Sequence, residues 1–166
     1  MKHEHHPRSA ELTDWVGSDP ILRSLPGSRF YLDYASRLDT AYRSALTKPA
    51  DENDSMVLRH RANKALFVYI VPAGPTQYKT ETFDRYGFKG DVTLFDSLAD
   101  AVRQAVQEDF WHRCDEALSR LSKSIDWVMG TQQKALIREY KAGHISMREM
   151  VYSMPVPASQ YTATSH

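Results

Sequence analysis

The residue in this sequence best suited to nucleophilic chemistry is its single cysteine, Cys114. A cysteine nucleophile needs a base held close to it. The sequence contains no Cys–His signature, no GxSxG motif and no phosphate-binding loop. Phe110 and Leu118 flank Cys114 in the apolar stripe of a predicted helix. A thiol in such a stripe packs as a small apolar side chain, so we expect no catalytic residue and no enzymatic activity.

His112 is the residue best placed for metal chemistry. Glu108 precedes His112 by four residues and Glu116 follows it by four. A helix would therefore place all three side chains on one face. Di-iron helical bundles need two Glu-x-x-His copies and further carboxylates from other helices, whereas one loose copy is present here. We therefore expect no metal and no cofactor. A small metal-dependent enzyme that uses His112 stays open as the third-ranked alternative.

Basic residues follow one face of a predicted helix near the C-terminus and continue beyond Gly143. The members of this basic ridge are Lys134, Arg138, Lys141, His144 and Arg148. A solvated basic face is the simplest interpretation, although such a ridge could also meet phosphates or an acidic partner. A helix–Gly–helix corner is typical of helix-turn-helix proteins, but Glu139 and Glu149 occupy positions which that motif reserves for apolar side chains. A DNA-binding regulator is the second-ranked alternative.

Two tryptophans, Trp111 and Trp127, point away from the apolar stripe that contains Cys114. A tryptophan outside the main stripe either packs against another element of the same chain or anchors a partner protein. Packing within the chain is the simpler interpretation. The alternative, in which the tryptophans anchor a partner protein, is the one that bears on function. It predicts that Trp111, Trp127 and the basic ridge form the partner-binding surface.

Composition and charge narrow the class of protein. The 166 residues carry 21 basic and 21 acidic side chains, so no overall basic field attracts nucleic acid. One cysteine excludes an intramolecular disulfide, which fits a reducing compartment. The N-terminus lacks the apolar core of a signal peptide, and the apolar run over 65–73 is too short to span a bilayer. We expect a cytoplasmic protein with no membrane contact.

The spacing of apolar residues predicts an α+β fold with N-terminal helices, a small antiparallel sheet of about three strands and a C-terminal helical half. The sheet is predicted from runs of β-branched and aromatic residues, and the helices from apolar positions three and four residues apart. The predicted elements before the helical half are helices at 9–17, 19–25 and 28–45, a helical turn at 56–64, strands at 66–71, 77–83 and 92–95, and a turn at 84–91.

The helical half is predicted to open with one long helix that begins at Ser97 and is stopped by Gly130. Its apolar stripe rotates along its length, and a break at 122–124 would explain that rotation equally well. A further helix follows to Ala142, with Gly143 in the C′ position where positive φ is favoured. The run from Ser146 to Glu149 matches a capping box that begins a last helix.

We expect one domain over residues 9–154, with the sheet over about 65–95 and the helices over about 97–154, between a flexible segment 1–8 and a disordered tail 155–166. The missing catalytic motifs and the tryptophans outside the stripe favour a non-enzymatic protein-binding regulator, inhibitor or adaptor. Small accessory proteins of phages and mobile elements, acting on host or defence proteins, often have this composition. Another protein is the expected partner, a homodimer through the C-terminal helices is left open, and nucleic acid is not favoured.

Overall fold

The computed structural model describes residues 29–47 and 55–155, apart from the side chains at positions 30 and 31. The predicted helices at 9–17 and 19–25, the segment 1–8 and nearly all of the tail lie outside the described residues. The described elements are α1 (Arg29–Thr47), β1 (Met56–His60), β2 (Phe67–Pro72), β3 (Tyr78–Asp84), β4 (Gly87–Phe95), α2 (Leu98–Gln107), β5 (Phe110–Arg113), α3 (Glu116–Leu121), α4 (Ile125–Lys141) and α5 (Met147–Ser153).

The prediction of an α+β fold with an antiparallel sheet is confirmed, but the sheet is larger than expected. It has five strands in the order β4-β3-β2-β1-β5, and all neighbouring strands are antiparallel. The predicted helical turn at 56–64 is wrong, because 56–60 form the interior strand β1, which lies between β2 and β5. Met56, Val57 and Leu58 are consecutive buried residues. Since β1 is covered on both faces, its sequence lacks the alternation that marks a half-exposed strand.

Alternating residues of the sheet form two separate cores. Met56 and Leu58 of β1, with Val68 and Ile70 of β2, pack against α1 and α2 on the first face. Helix α1 spans nearly the predicted range, and its buried residues recur with helical spacing. Ser97 begins α2 by accepting a hydrogen bond from the backbone N–H three residues later, as a capping serine does. Helices α1 and α2 therefore supply the helical layer that this face of the sheet requires.

The second face of the sheet is covered by α3 and by the first turn of α4. Val57, Phe67 and Phe83 are buried there against Ala117 of α3. Phe83 is fully buried, and its ring stacks on Phe67 with 5.2 Å between centroids. Trp127 of α4 closes the edge of this second core.

The turn predicted at 84–91 is shorter than expected, because β4 already begins at Gly87. Only Arg85 and Tyr86 separate β3 from β4. Asp84 supports this tight reversal by accepting a hydrogen bond of 2.8 Å from the backbone N–H of Tyr86. Gly87 and Gly90 both have positive φ, which other residues rarely adopt. The register shift between β3 and β4 falls in the same region, so these glycines serve a bulge within a hairpin.

The single long helix predicted from Ser97 to Gly130 is wrong. Helix α2 ends at Gln107, and Asp109 takes a left-handed conformation with φ of 68°. Its backbone carbonyl accepts a hydrogen bond of 2.7 Å from the N–H of Arg61, which ties this corner to the end of β1. The chain then adds β5 to the edge of the sheet. The rotation of the apolar stripe thus reflects three short elements, and the alternative break at 122–124 is present as the cap of α4.

Gly130 does not stop a helix, since α4 continues through it from Ile125 to Lys141. This glycine is the one buried residue of α4, and it lies directly on Tyr86 of the β3–β4 turn. A Cβ at position 130 would lie 2.8 Å from both Cα and Cβ of Tyr86. Glycine is present here because helix and turn are in backbone contact, a reason that the local sequence does not show.

The predicted corner after α4 is confirmed in detail. Gly143 has φ of 75°, as the C′ position requires. Ser146 caps α5 by accepting from the backbone N–H of Glu149 at 3.2 Å. The carboxylate of Glu149 in turn accepts from the backbone N–H of Ser146 at 2.8 Å, which completes the capping box.

Candidate partner-binding surface

Trp127 is a packing residue of the second core. Its ring meets those of Phe83 and Phe88 edge to face, at centroid distances of 5.8 and 5.5 Å. This is the favoured geometry for aromatic pairs. The indole is half-buried and attaches the start of α4 to the sheet.

Trp111 lies on β5 and packs against the first core, on the other side of the sheet. Its indole N–H donates to the carbonyl of Val106 at 2.9 Å, and its ring is 6.4 Å from that of Tyr34. The guanidinium of Arg61 lies 4.3 Å from the ring centroid. The two tryptophans therefore belong to different cores, and the structure does not bring them together on one surface.

Lys134, the first residue of the basic ridge, is turned toward the sheet. Its ammonium donates to the carbonyls of Tyr86 and Phe88, at 3.1 and 2.6 Å. Burial raises the pKa of the nearby Asp84, but the Tyr86 N–H bond and the Lys89 and Lys134 ammoniums hold that pKa below its usual value. Lys134 therefore fixes α4 on the β3–β4 turn.

The remaining residues of the ridge are exposed, but two of them contact neighbours in the chain. His144 Nδ1 lies 2.8 Å from a carboxylate oxygen of Glu139. The guanidinium of Arg148 lies 5.6 Å from the ring centroid of Tyr152 on α5. Arg138 and Lys141 lie in the last turn of α4, where their charge complements the helix dipole. The structure thus divides the predicted ridge into one residue that holds the fold and four at the surface.

The same two helices carry exposed apolar side chains that sequence reasoning missed. These residues, which we call the C-terminal apolar surface, are Ile137, Tyr140, Met147, Val151 and Tyr152. On α5, Met147 is 63% exposed, Val151 57% and Tyr152 78%, and no residue of this helix is buried. The signal in the sequence was the spacing of Met147 and Val151. That spacing predicts an apolar face but does not show whether the chain itself covers it.

The N-terminal end of α5 is well fixed despite the exposure of the helix. Hydrogen bonds from the backbone N–H and the side chain of Ser146 lower the pKa of Glu149. The carboxylate is therefore ionised at neutral pH and accepts from both the backbone N–H and the hydroxyl of Ser146. A short helix with a fixed N-terminal end and uncovered apolar side chains is a preorganised surface, so ordering it costs little when a partner binds.

The structure places the chemically active residues away from this surface. The Cys114 thiol donates to Glu116 at 3.3 Å, and burial, followed by that carboxylate, raises its pKa. An activated nucleophile has a lowered pKa. His112 is on β5 and Glu116 begins α3, so the predicted single helical face with Glu108 is wrong. Within 29–47 and 55–155, no three His, Cys, Asp or Glu side chains group as metal ligands would.

His112 and Trp111 do line a shallow groove between β5 and α1. Ser36, Thr40 and Ser44 supply the helical side of this groove, which has a volume of about 310 Å³. The Thr40 hydroxyl donates to the carbonyl of Ser36 at 2.8 Å, so it is already engaged by its own helix. Arg37 also lines the groove, so its wall combines one guanidinium with hydroxyl groups.

Comparison with protein-family models, with curated proteins and with solved structures found no match to this chain. In the part of the chain that the structure describes, no helix has the length and apolar character needed to cross a membrane.

Proposed function

We propose that this protein is a non-enzymatic protein-binding regulator, inhibitor or adaptor that contacts its partner through the C-terminal apolar surface. The observation that carries this proposal is the exposure of Met147, Val151 and Tyr152 on α5. Large apolar side chains grouped on one exposed element mark an interaction site, whereas singly scattered ones are ordinary.

The charges around these residues support the same proposal. Arg138 and Lys141 on α4 and Arg148 on α5 are exposed beside the apolar side chains. Protein interfaces combine an apolar centre containing aromatic residues and methionine with a polar rim. Tyr140 and Tyr152 supply the aromatic rings here. The basic rim favours a partner surface with acidic residues at its edge.

The original hypothesis placed the partner on Trp111 and Trp127. Both rings are instead engaged by packing within the chain. We therefore assign the apolar part of the interface to α4 and α5, and retain Arg138, Lys141 and Arg148 from the basic ridge. We remove Lys134 from the proposed partner-binding residues, because its ammonium donates to two backbone carbonyls.

The double variant Val151→Glu/Tyr152→Glu tests this proposal. Both side chains are exposed, so we expect its free energy of unfolding to stay within about 0.5 kcal/mol of wild type. The partner recovered by affinity capture from native host cells, measured by mass spectrometry, is expected to fall at least tenfold, or roughly 1.4 kcal/mol.

Gln132→Glu is the matched control, since it adds a negative charge at an exposed position of α4 outside the C-terminal apolar surface. We expect this variant to capture the partner as wild type does. Equal capture by wild type, control and double variant would contradict the proposed function. If the double variant does not fold, Val151→Ala with Tyr152→Ser repeats the test without introducing charge.

A further inference from the structure

A second uncovered surface lies on the sheet itself. In the face covered by α3, Tyr69 pairs with Glu81 and Glu81 with Val92, while Val71 pairs with Lys79 and Lys79 with Leu94. These six residues form two adjacent rows across β2, β3 and β4, which we call the open sheet face. Val92 and Leu94 are its exposed members, whereas the other four are half-buried and Tyr69 packs on Phe88 of the second core. Val92 is 52% exposed and Leu94 is 59% exposed. Helix α3 and Trp127 cover only the neighbouring part of this face.

The open sheet face has apolar ends and a charged centre. Val71 lies at one side, Val92 and Leu94 lie at the other, and Lys79 and Glu81 stand between them on β3. Within 29–47 and 55–155, no ion pair joins Lys79 or Glu81 to another side chain. A sheet face with apolar residues requires a covering layer, and this layer would also have to meet the opposite charges of Glu81 and Lys79.

Helix α5 has the length and side chains that this cover requires. Seven residues of α-helix extend about 10 Å, and three neighbouring strands span about 10 Å between the axes of the outer two. The helix carries Met147 and Val151 one turn apart, with Arg148 as its single basic residue. Apolar side chains would meet Val92 and Leu94 while Arg148 meets Glu81.

Resting on the function proposed above, we infer that the partner of the C-terminal apolar surface is a second copy of this chain, whose open sheet face receives α5. Each copy has one helix to offer and one open face, so a two-fold arrangement buries both contacts at once. The formal net charge of zero leaves no overall repulsion between copies. Arg148 and Glu81 supply the local charge complementarity.

Cysteine cross-linking tests this arrangement, with Cys114→Ser as the background. A variant with both Leu94→Cys and Val151→Cys is expected to form an intermolecular disulfide under mild oxidation. The cross-linked product would have twice the chain mass of 19.0 kDa. Each of the two single-cysteine variants should remain without a cross-link. A cross-link formed by Val151→Cys alone would show that α5 meets α5, and it would overturn the inference.

A charge exchange tests the same contact in solution by sedimentation. Arg148→Glu is expected to weaken the dimer about tenfold or more, because two carboxylates then face each other. Adding Glu81→Arg to Arg148→Glu should restore the wild-type association. A failure of the exchange to restore the dimer contradicts the assigned contact.

The failures of the two proposals are distinguishable. A wild-type protein that is monomeric at every concentration, but loses a captured protein with Val151→Glu/Tyr152→Glu, overturns the second-copy inference and supports the proposed function. A monomer whose captured proteins are unchanged by that double variant overturns both.

Discussion

Replacing Trp127 with alanine is expected to lower the free energy of unfolding by about 3 kcal/mol, measured by urea denaturation. Removal of a large aromatic side chain from a core costs about 3–5 kcal/mol, and the half-buried position places this residue at the low end. The loss follows from the edge-to-face contacts with Phe83 and Phe88. Since this ring attaches α4 to the sheet, its removal also loosens the start of that helix.

Val128→Ala is the matched control for Trp127→Ala. Val128 is the next residue of α4 and is 48% exposed, so its truncation should change the unfolding free energy by less than about 0.5 kcal/mol. Unchanged stability of Trp127→Ala, together with loss of a bound protein, would contradict the packing role. It would instead restore Trp127 to the partner-binding residues.

Gly130→Ala is expected to destabilise the protein by about 2–3 kcal/mol, as overpacking of a well-filled contact does. A glycine-to-alanine substitution in an unobstructed helix usually raises the free energy of unfolding, because alanine is favoured there by about 1 kcal/mol. Here we expect the opposite change. The added methyl group would lie 2.8 Å from Cα of Tyr86. Helix and turn must then separate, which stretches the bonds from Lys134 to Tyr86 and Phe88.

Gly74→Ala serves as the control for Gly130→Ala. A Cβ at position 74 has no neighbouring atom within 4 Å, so we expect its effect on the unfolding free energy to be near zero. The melting temperatures of both variants provide a simple comparison. A Gly130→Ala protein that melts at or above the wild-type temperature would show that α4 does not lie against Tyr86.

The features of the fold that could be predicted from sequence are those fixed by local chemistry. The corner at Gly143 and the capping box of Ser146 and Glu149 depend on a few neighbouring residues, and both are present. The strand predicted at 66–71 corresponds to β2, because a short run of β-branched and aromatic residues strongly favours a strand. Each of these predictions needed no knowledge of distant residues.

The predictions that failed depended on distant contacts. β5 forms because Asp109 turns the chain and the N–H of Arg61 meets its carbonyl, across a separation of 48 residues. Gly130 was interpreted as a helix stop because glycine disfavours helices, whereas Tyr86 requires glycine at this position. Lys134 had the spacing of a ridge residue, and only the fold shows that the β3–β4 turn engages its ammonium.

The candidate surface was predictable only in part. Arg138, Lys141 and Arg148 were identified from charge and spacing, and they remain exposed. The apolar residues of α5 were not, because an amphipathic pattern looks the same whether its own chain or a partner covers it. Their exposure is a property of the fold, because no residue of α5 is buried against another element.

We propose that this protein meets its partner through the C-terminal apolar surface. A photo-reactive benzoylphenylalanine placed at Tyr152, or in a separate variant at Met147, tests this claim in native host cells. We expect a discrete covalent adduct, with a second copy or another protein, from both positions. Lys64, which is exposed in the β1–β2 loop, should give none. Absence of adducts at both 147 and 152 in the folded, expressed protein would contradict the claim.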